Sequence, residues 1–152
     1  MSSFDLRALL AALYAGGVQH VVIGGVAVGA HGFIRATQDV DLVPDPGAEN
    51  LLRLSNALVA LGAVLPLAGD RPFDHADLGP GGNLTLETVH GGLDVIQRAS
   101  GVPVYAELEA AAVPSELLGV PVRICSLAHL RAMKRAAGRP IDLADLDGLP
   151  EV

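Results

Sequence analysis

One cysteine, no tryptophan, three Phe, two Tyr and a single Lys leave several functions without their usual parts in this 152-residue chain. Cys125 has no second cysteine to meet, which excludes a disulfide framework and a cysteine-built zinc site. So few aromatic side chains make a poor stacking platform for single-stranded nucleic acid. Ten basic residues against 17 acidic ones give a net charge of −7, which excludes an extended DNA surface, because non-specific affinity comes from clustered Lys and Arg. No stretch reaches the roughly 18 uninterrupted apolar residues that would argue for a membrane span. The opening "MSSFDLRALLAAL" has an early Asp5 and no basic leader before its apolar part, so it does not read as a signal peptide. The expectation is a cytoplasmic protein that makes no use of membranes.

What is present is aliphatic. Half of the chain is hydrophobic, so a core of Ala, Val and Leu is available without aromatics. The 18 Gly and 10 Pro fall between periodic segments, as turns of one compact domain covering residues 1–152. Leu6, Leu9, Leu10 and Leu13 recur at helical spacing, which predicts a helix over 4–15 with Ser3 as cap and Gly16-Gly17 as stop. "HVVIGG" (20–25) reads as a buried strand running into a Gly-Gly turn, "VAVGAHG" (26–32) as a short helix, and "DVDLVP" (39–44) as a strand stopped by Pro44. A second amphipathic helix covers 48–61. Residues 66–83, rich in Gly and Pro, form a long loop of the kind that serves as a lid or binding segment. Segments 83–89 and 93–98 flank His90-Gly91-Gly92 as a hairpin. A short helix over 104–112, a small hairpin over 112–125 turning at Leu118-Gly119, and two helices over 127–137 and 141–148 complete the chain, with Ser126 capping the first and Gly138 breaking between them. The order predicts an α/β (α+β) domain, a small mixed sheet flanked by helices, with a core over about 18–98 and a helical C-terminal part over about 126–149.

Within "RATQDVDLV" two carboxylates stand two residues apart in an apolar run. On a strand, positions i and i+2 share a face, so Asp39 and Asp41 point one way while Val40 and Leu42 point into the core. Like charges held this close on a half-buried face call for a cation between them. Asp94, in "GGLDVIQ", lies on a predicted hairpin strand; if that strand pairs beside 39–43, a third carboxylate joins the same face. Hard oxygen ligands with no cysteine nearby favour Mg²⁺ or Mn²⁺. Upstream, "VVIGGVAVGAHG" lets a strand enter a double glycine and a helix start, a place where a phosphate can approach backbone N–H groups. No Gly-Lys-Ser/Thr follows, so it is not a P-loop, and no dinucleotide fingerprint can be read. Arg35 suits either a phosphate or a carboxylate partner. Lys134 lies on a helix with Arg131 and Arg135 and suits either a solvated basic face or a phosphate contact.

Taken together, "IGGVAVGAHGFIRATQDVDL" resembles the signature of the nucleotidyltransferase superfamily, the DNA polymerase β-like fold. The Arg-x-Thr-x-Asp-x-Asp form, with "LRAMKRAAGRPIDLADLDGL" at 130–149, is similar to the small bacterial subgroup that contains AbiEii-type toxins. The resemblance implies a minimal nucleotidyltransferase fold and transfer of a nucleoside monophosphate from an NTP such as ATP to an acceptor hydroxyl. It implies that Gly24, Gly25, Arg35, Thr37 and Lys134 hold the nucleotide's phosphates and that Asp39, Asp41 and Asp94 bind the metal and carry catalysis. Arg139, Asp142 and Asp145 would brace the closing helices. Ile141 departs from the pattern, since a basic residue commonly precedes that Asp. The implied acceptors are a protein hydroxyl, a tRNA end or a small molecule, with a cognate toxin or antitoxin as partner. The alternative is an antitoxin, or a catalytically inactive nucleotide-binding domain acting through a protein partner.

Overall fold

The structure, a computed structural model, describes residues 3–152. Its helices are α1 (Leu6–Ala15), α2 (Gly24–Ala30), α3 (Ala48–Ala60), α4 (Tyr105–Ala111), α5 (Leu127–Ala137) and α6 (Pro140–Gly148). Its strands are β1 (His20–Ile23), β2 (Asp39–Pro44), β3 (Val64–Leu65), β4 (Arg71–Pro72), β5 (Leu84–Thr88), β6 (Gly91–Val95), β7 (Val113–Leu117) and β8 (Val120–Ile124). The strands form one mixed sheet in the order β4-β3-β5-β6-β2-β1-β8-β7. β1 runs antiparallel to β2 and parallel to β8, and β2 runs parallel to β6. The α/β architecture expected from the sequence is present, with a longer sheet than the sequence suggested.

The core is aliphatic, as the composition required. Leu9, Leu10 and Leu13 of α1, Leu54 and Leu58 of α3, and Leu42, Leu86 and Leu93 of the sheet are buried side by side. Helical spacing put α1 in place, but Asp5, not Ser3, caps it, its carboxylate accepting from the Ala8 N–H at 3.0 Å. Ser126 does cap α5, its hydroxyl accepting from the His129 N–H. Asn50, buried on α3, accepts from the Gln19 N–H at 2.7 Å and donates to the Gln19 and Asp45 carbonyls, which ties α3 to the start of β1 and the end of β2.

Three local expectations change. α2 begins at Gly24 itself, so the double glycine opens the helix instead of preceding it. The hairpin turn is Val89-His90, and Gly91-Gly92 lie inside β6. Gly92 is there because it faces Asp39: a Cβ at this position would sit 3.0 Å from the Asp39 Cβ. Finally, 66–83 is not an open lid. Phe73 and Leu78 anchor it in the core, His75 meets the Asn56 amide oxygen at 2.9 Å, and Asp74 and Asp77 cap a short 3₁₀ turn between them. Buried anchors pinned to α3 give the segment a packing role that its polar composition concealed.

Candidate active site

The sheet register brings the acids together. β2 lies beside β6 with Asp41 opposite Asp94 and Asp39 opposite Gly92. The neighbours Val40, Leu42, Leu93 and Val95 point to the other face and are fully buried. Alternation thus does what the strand argument required: the apolar residues fix the strands and leave three carboxylates on one side. One oxygen from each of Asp39, Asp41 and Asp94 lies within 4.8 Å of the others.

Their electrostatics are those of carboxylates that oppose one another's ionisation. Burial, reinforced by a hydrogen bond with Asp94 and by the charges of Asp39 and Asp94, pushes the Asp41 carboxyl up to about 7, against an opposing pull from Lys134. Burial and the Asp94 charge also raise Asp39, with Arg35 opposing. An arrangement of acids that resists its own ionisation fits a divalent cation, whose charge removes the repulsion. The oxygen-only donor set suits Mg²⁺ or Mn²⁺.

Gly24 makes the approach of Asp41 possible. It has φ +69°, in the left-handed region, and a Cβ there would run into the Asp41 carboxylate, with the Asp41 Cγ only 2.9 Å away. Two independent penalties meet at this residue. Gly24→Ala is therefore expected to lower stability by about 1–3 kcal/mol and to displace the Asp41 carboxylate. Urea unfolding together with a divalent-cation titration checks both effects; an unchanged midpoint and unchanged Mn²⁺ affinity would contradict the assignment. Gly25 is close-packed too, with Thr37 Oγ1 2.9 Å from where its Cβ would stand.

Beside the acids lies a cavity of about 390 Å³. Asp39, Asp41 and Asp94 line it, together with Gly25, Arg35, Thr37, Lys134 and Arg139. Ile96 and Ile141 are its apolar members. Every phosphate-binding candidate from the sequence except Gly24 thus faces one space, and Gly24 abuts it through Asp41.

The cations are held by two aspartates of α6, neither of which has any exposed surface. Asp145 accepts from Arg35 Nε at 2.6 Å and Nη2 at 2.9 Å, and its second oxygen lies 2.9 Å from Lys134 Nζ. Asp142 accepts from the Arg139 N–H at 3.0 Å and Nε at 2.7 Å, with Lys134 Nζ at 3.3 Å. Spacing of three residues on a helix turns both carboxylates toward α5. Arg35, left open by the sequence between phosphate and carboxylate, has the carboxylate partner and still lines the cavity. Lys134, read as equally suited to a solvated face, is buried. Arg131 turns away and donates to the Leu146 carbonyl at 3.1 Å.

Bonds from Arg139, with Lys134 adding to them, hold the Asp142 carboxyl down at about 2. Burial would raise Asp145, but its bonds from Arg35 and Lys134 more than reverse this, and it too lies low. A carboxylate whose folded pKa is depressed stabilises the fold above its unfolded pKa, near 4, and loses that contribution as pH falls toward the folded value. Stability should therefore drop between about pH 4 and pH 2, and Asp142→Asn should flatten that limb. Thermal melts at half-unit pH steps test this; a variant with the same acid slope as the parent would contradict it.

Other candidates fall outside the site. The His31 imidazole Nε2–H donates to the Cys125 carbonyl at 2.7 Å and ties the end of α2 to the start of α5. Burial pushes the Cys125 thiol up to about 12, so it is an inert core residue. The apolar cavity members Ile96 and Ile141 were not identified as site residues by sequence reasoning. For Ile96 the signal was its place two residues after Asp94.

No protein-family model matches the sequence, and comparison with curated proteins gives no match. Solved structures do resemble it. ANT(2'')-Ia, in complex with adenylyl-2''-tobramycin, is 20% identical, with 93% of this chain and 83% of that one covered at a TM-score of 0.59. TM1012 from Thermotoga maritima, described as a candidate nucleotidyltransferase, is 15% identical over 93% and 88% of the two chains, also at 0.59. JHP933 from Helicobacter pylori is 19% identical, with 93% of this chain and 61% of that one covered at 0.52. The chain has a nucleotidyltransferase-like fold, as its sequence resemblance implied. Among the described residues no helix is long and apolar enough to cross a membrane.

Proposed function

We propose that this protein is a nucleotidyltransferase that moves a nucleoside monophosphate from an NTP, ATP included, to an acceptor hydroxyl and releases pyrophosphate. The observation that carries this reading is one cavity lined by three convergent carboxylates together with Arg35, Lys134 and Arg139. Phosphoryl chemistry needs little beyond positioning and charge stabilisation, which such a cavity can supply. Asp39, Asp41 and Asp94 would hold the divalent cation, Mg²⁺ or Mn²⁺. Bound there, the ion neutralises the triphosphate and orients the reacting oxygens.

The side chains of the protein do the rest. Arg35 and Lys134 are fixed by Asp145, and Arg139 by Asp142, so they meet the phosphates with little reorganisation. Gly25 and Thr37 border the same space and admit the triphosphate closely. Asp94 accepts the proton of the acceptor hydroxyl, that hydroxyl's oxygen bonds to the α-phosphorus, and the bond from the α-phosphorus to the bridging oxygen breaks as pyrophosphate leaves. Asp142 and Asp145 support the site from behind.

For the acceptor we favour a small molecule, with a protein hydroxyl and a tRNA end as the other classes. ANT(2'')-Ia carries an adenylylated tobramycin in its complex, and a net charge of −7 suits a cationic acceptor better than RNA. The Arg35-x-Thr37-x-Asp39-x-Asp41 spacing and the Lys134 to Asp145 segment favour the AbiEii-like subgroup, and with it a cytoplasmic toxin–antitoxin or phage-defence setting with a cognate partner. The test is incubation with each α-³²P-labelled NTP, Mg²⁺ and either cell extract, bulk tRNA or an aminoglycoside set. Label in one acceptor class, lost on chelation, is the expected result; no label in any class with any NTP would overturn the reading.

A further inference from the structure

Every charged side chain that lines the cavity already has a task. The three aspartates suit the cation, and Arg35, Lys134 and Arg139 supply the positive charge. Thr37 directs its hydroxyl to the Asp39 carbonyl at 3.3 Å and stands over Gly25. Two lining side chains remain, Ile96 and Ile141.

Their placement follows from the chain. The Ile96 N–H donates to the Leu42 carbonyl at 2.9 Å, so the extended run of β6 continues through it and puts Ile96 on the same face as Asp94. Ile141 is the second residue of α6, between Pro140 and the buried Asp142, and it is 48% exposed. A helix start that buries its acid thus presents an isoleucine at the edge of an otherwise charged space.

Resting on the nucleotidyl-transfer reading, we propose that Ile96 and Ile141 hold the base of the nucleotide and that the site does not distinguish one base from another. The phosphates go to the cations, and the flat ring takes the apolar surface that Ile96 and Ile141 offer. Contact with aliphatic side chains is non-directional and scales with area. Strong discrimination comes instead from buried hydrogen-bonding groups that a wrong ligand leaves unpaired. Among the described residues lining this cavity there is no amide or aromatic side chain to read a base edge. Purines gain a few-fold over pyrimidines through their larger area, and within each class the two bases are equivalent.

Calorimetric titration of the full chain with the Mg²⁺ salts of ATP, GTP, CTP and UTP, and with inorganic tripolyphosphate, tests this. All four NTPs should bind within about tenfold of one another, the span expected of area-driven contact. Ile141→Ala should weaken each NTP by about three- to tenfold relative to tripolyphosphate, roughly the loss of one partly buried aliphatic side chain. Ile96→Ala should act in the same direction. A preference for one NTP above about tenfold, beyond the span expected of area-driven contact, would overturn base indifference while leaving nucleotidyl transfer standing. An Ile141→Ala loss equal for ATP and tripolyphosphate would remove Ile141 from the base and overturn the proposal in the same way. If none of the five ligands binds, nucleotidyl transfer itself falls, and this inference falls with it.

Discussion

Asp41→Asn should abolish nucleotidyl transfer, by about 10³-fold or more on the scale of lost transition-state electrostatics, while raising the melting temperature of the cation-free protein. The two effects have one origin. Asp41 sits opposite Asp94 and shares a hydrogen bond with it, and burial with two neighbouring carboxylates pushes its carboxyl up to about 7. Without a cation, this is a place where charge works against the fold. A neutral amide of the same shape relieves the repulsion and forfeits the ligand. Single-turnover label transfer and thermal melts in chelator measure the two sides separately. Retained transfer would contradict the catalytic role. A lower melting temperature would contradict the repulsion on which the cation assignment rests.

Asp145→Asn should have the largest effect on stability, a loss of about 3–5 kcal/mol, the usual consequence of removing one partner from a buried ion pair. Asp145 has no exposed surface and takes two bonds from Arg35 and a third contact from Lys134. Asn offers one acceptor oxygen to these cations and turns an N–H₂ toward one of them. Lys134, itself buried, is left with Asp142 at 3.3 Å as its remaining carboxylate. Adding Lys134→Met to Asp145→Asn should recover part of the loss, because it removes a buried charge left with a single, longer ion-pair contact. Urea unfolding of the parent, the single variants and the double variant gives the coupling. A single-variant loss under about 1 kcal/mol would put the pair in the class of surface ion pairs and contradict its buried role.

The contrast between these two aspartates shows what the sequence carried openly. Strand alternation alone was enough to put Asp39 and Asp41 on one face with Val40 and Leu42 beneath, because that rule is local. The place of Asp94 depended on pairing β6 with β2, a non-local choice that the sequence could state only as a condition and that the register meets. Lys134 and Arg35 illustrate the limit. Nothing in a one-dimensional pattern says that a lysine on an amphipathic helix is buried, because its burial depends on two acids from the next helix. The same holds for the 66–83 segment. Its Gly and Pro content signals turns, whereas its attachment through Phe73, Leu78 and His75 rests on contacts with distant residues. Gly92 was legible as glycine but not as strand, since the reason for it is the Asp39 side chain on a neighbouring chain segment.

The most direct measurement is anomalous diffraction from crystals of the protein grown with MnCl₂ and a non-hydrolysable NTP analogue. The expected result is an anomalous peak bonded to oxygens of Asp39, Asp41 and Asp94, with the phosphates against Gly25 and Lys134. Nucleotide bound elsewhere, or manganese absent from between these three carboxylates, would contradict it.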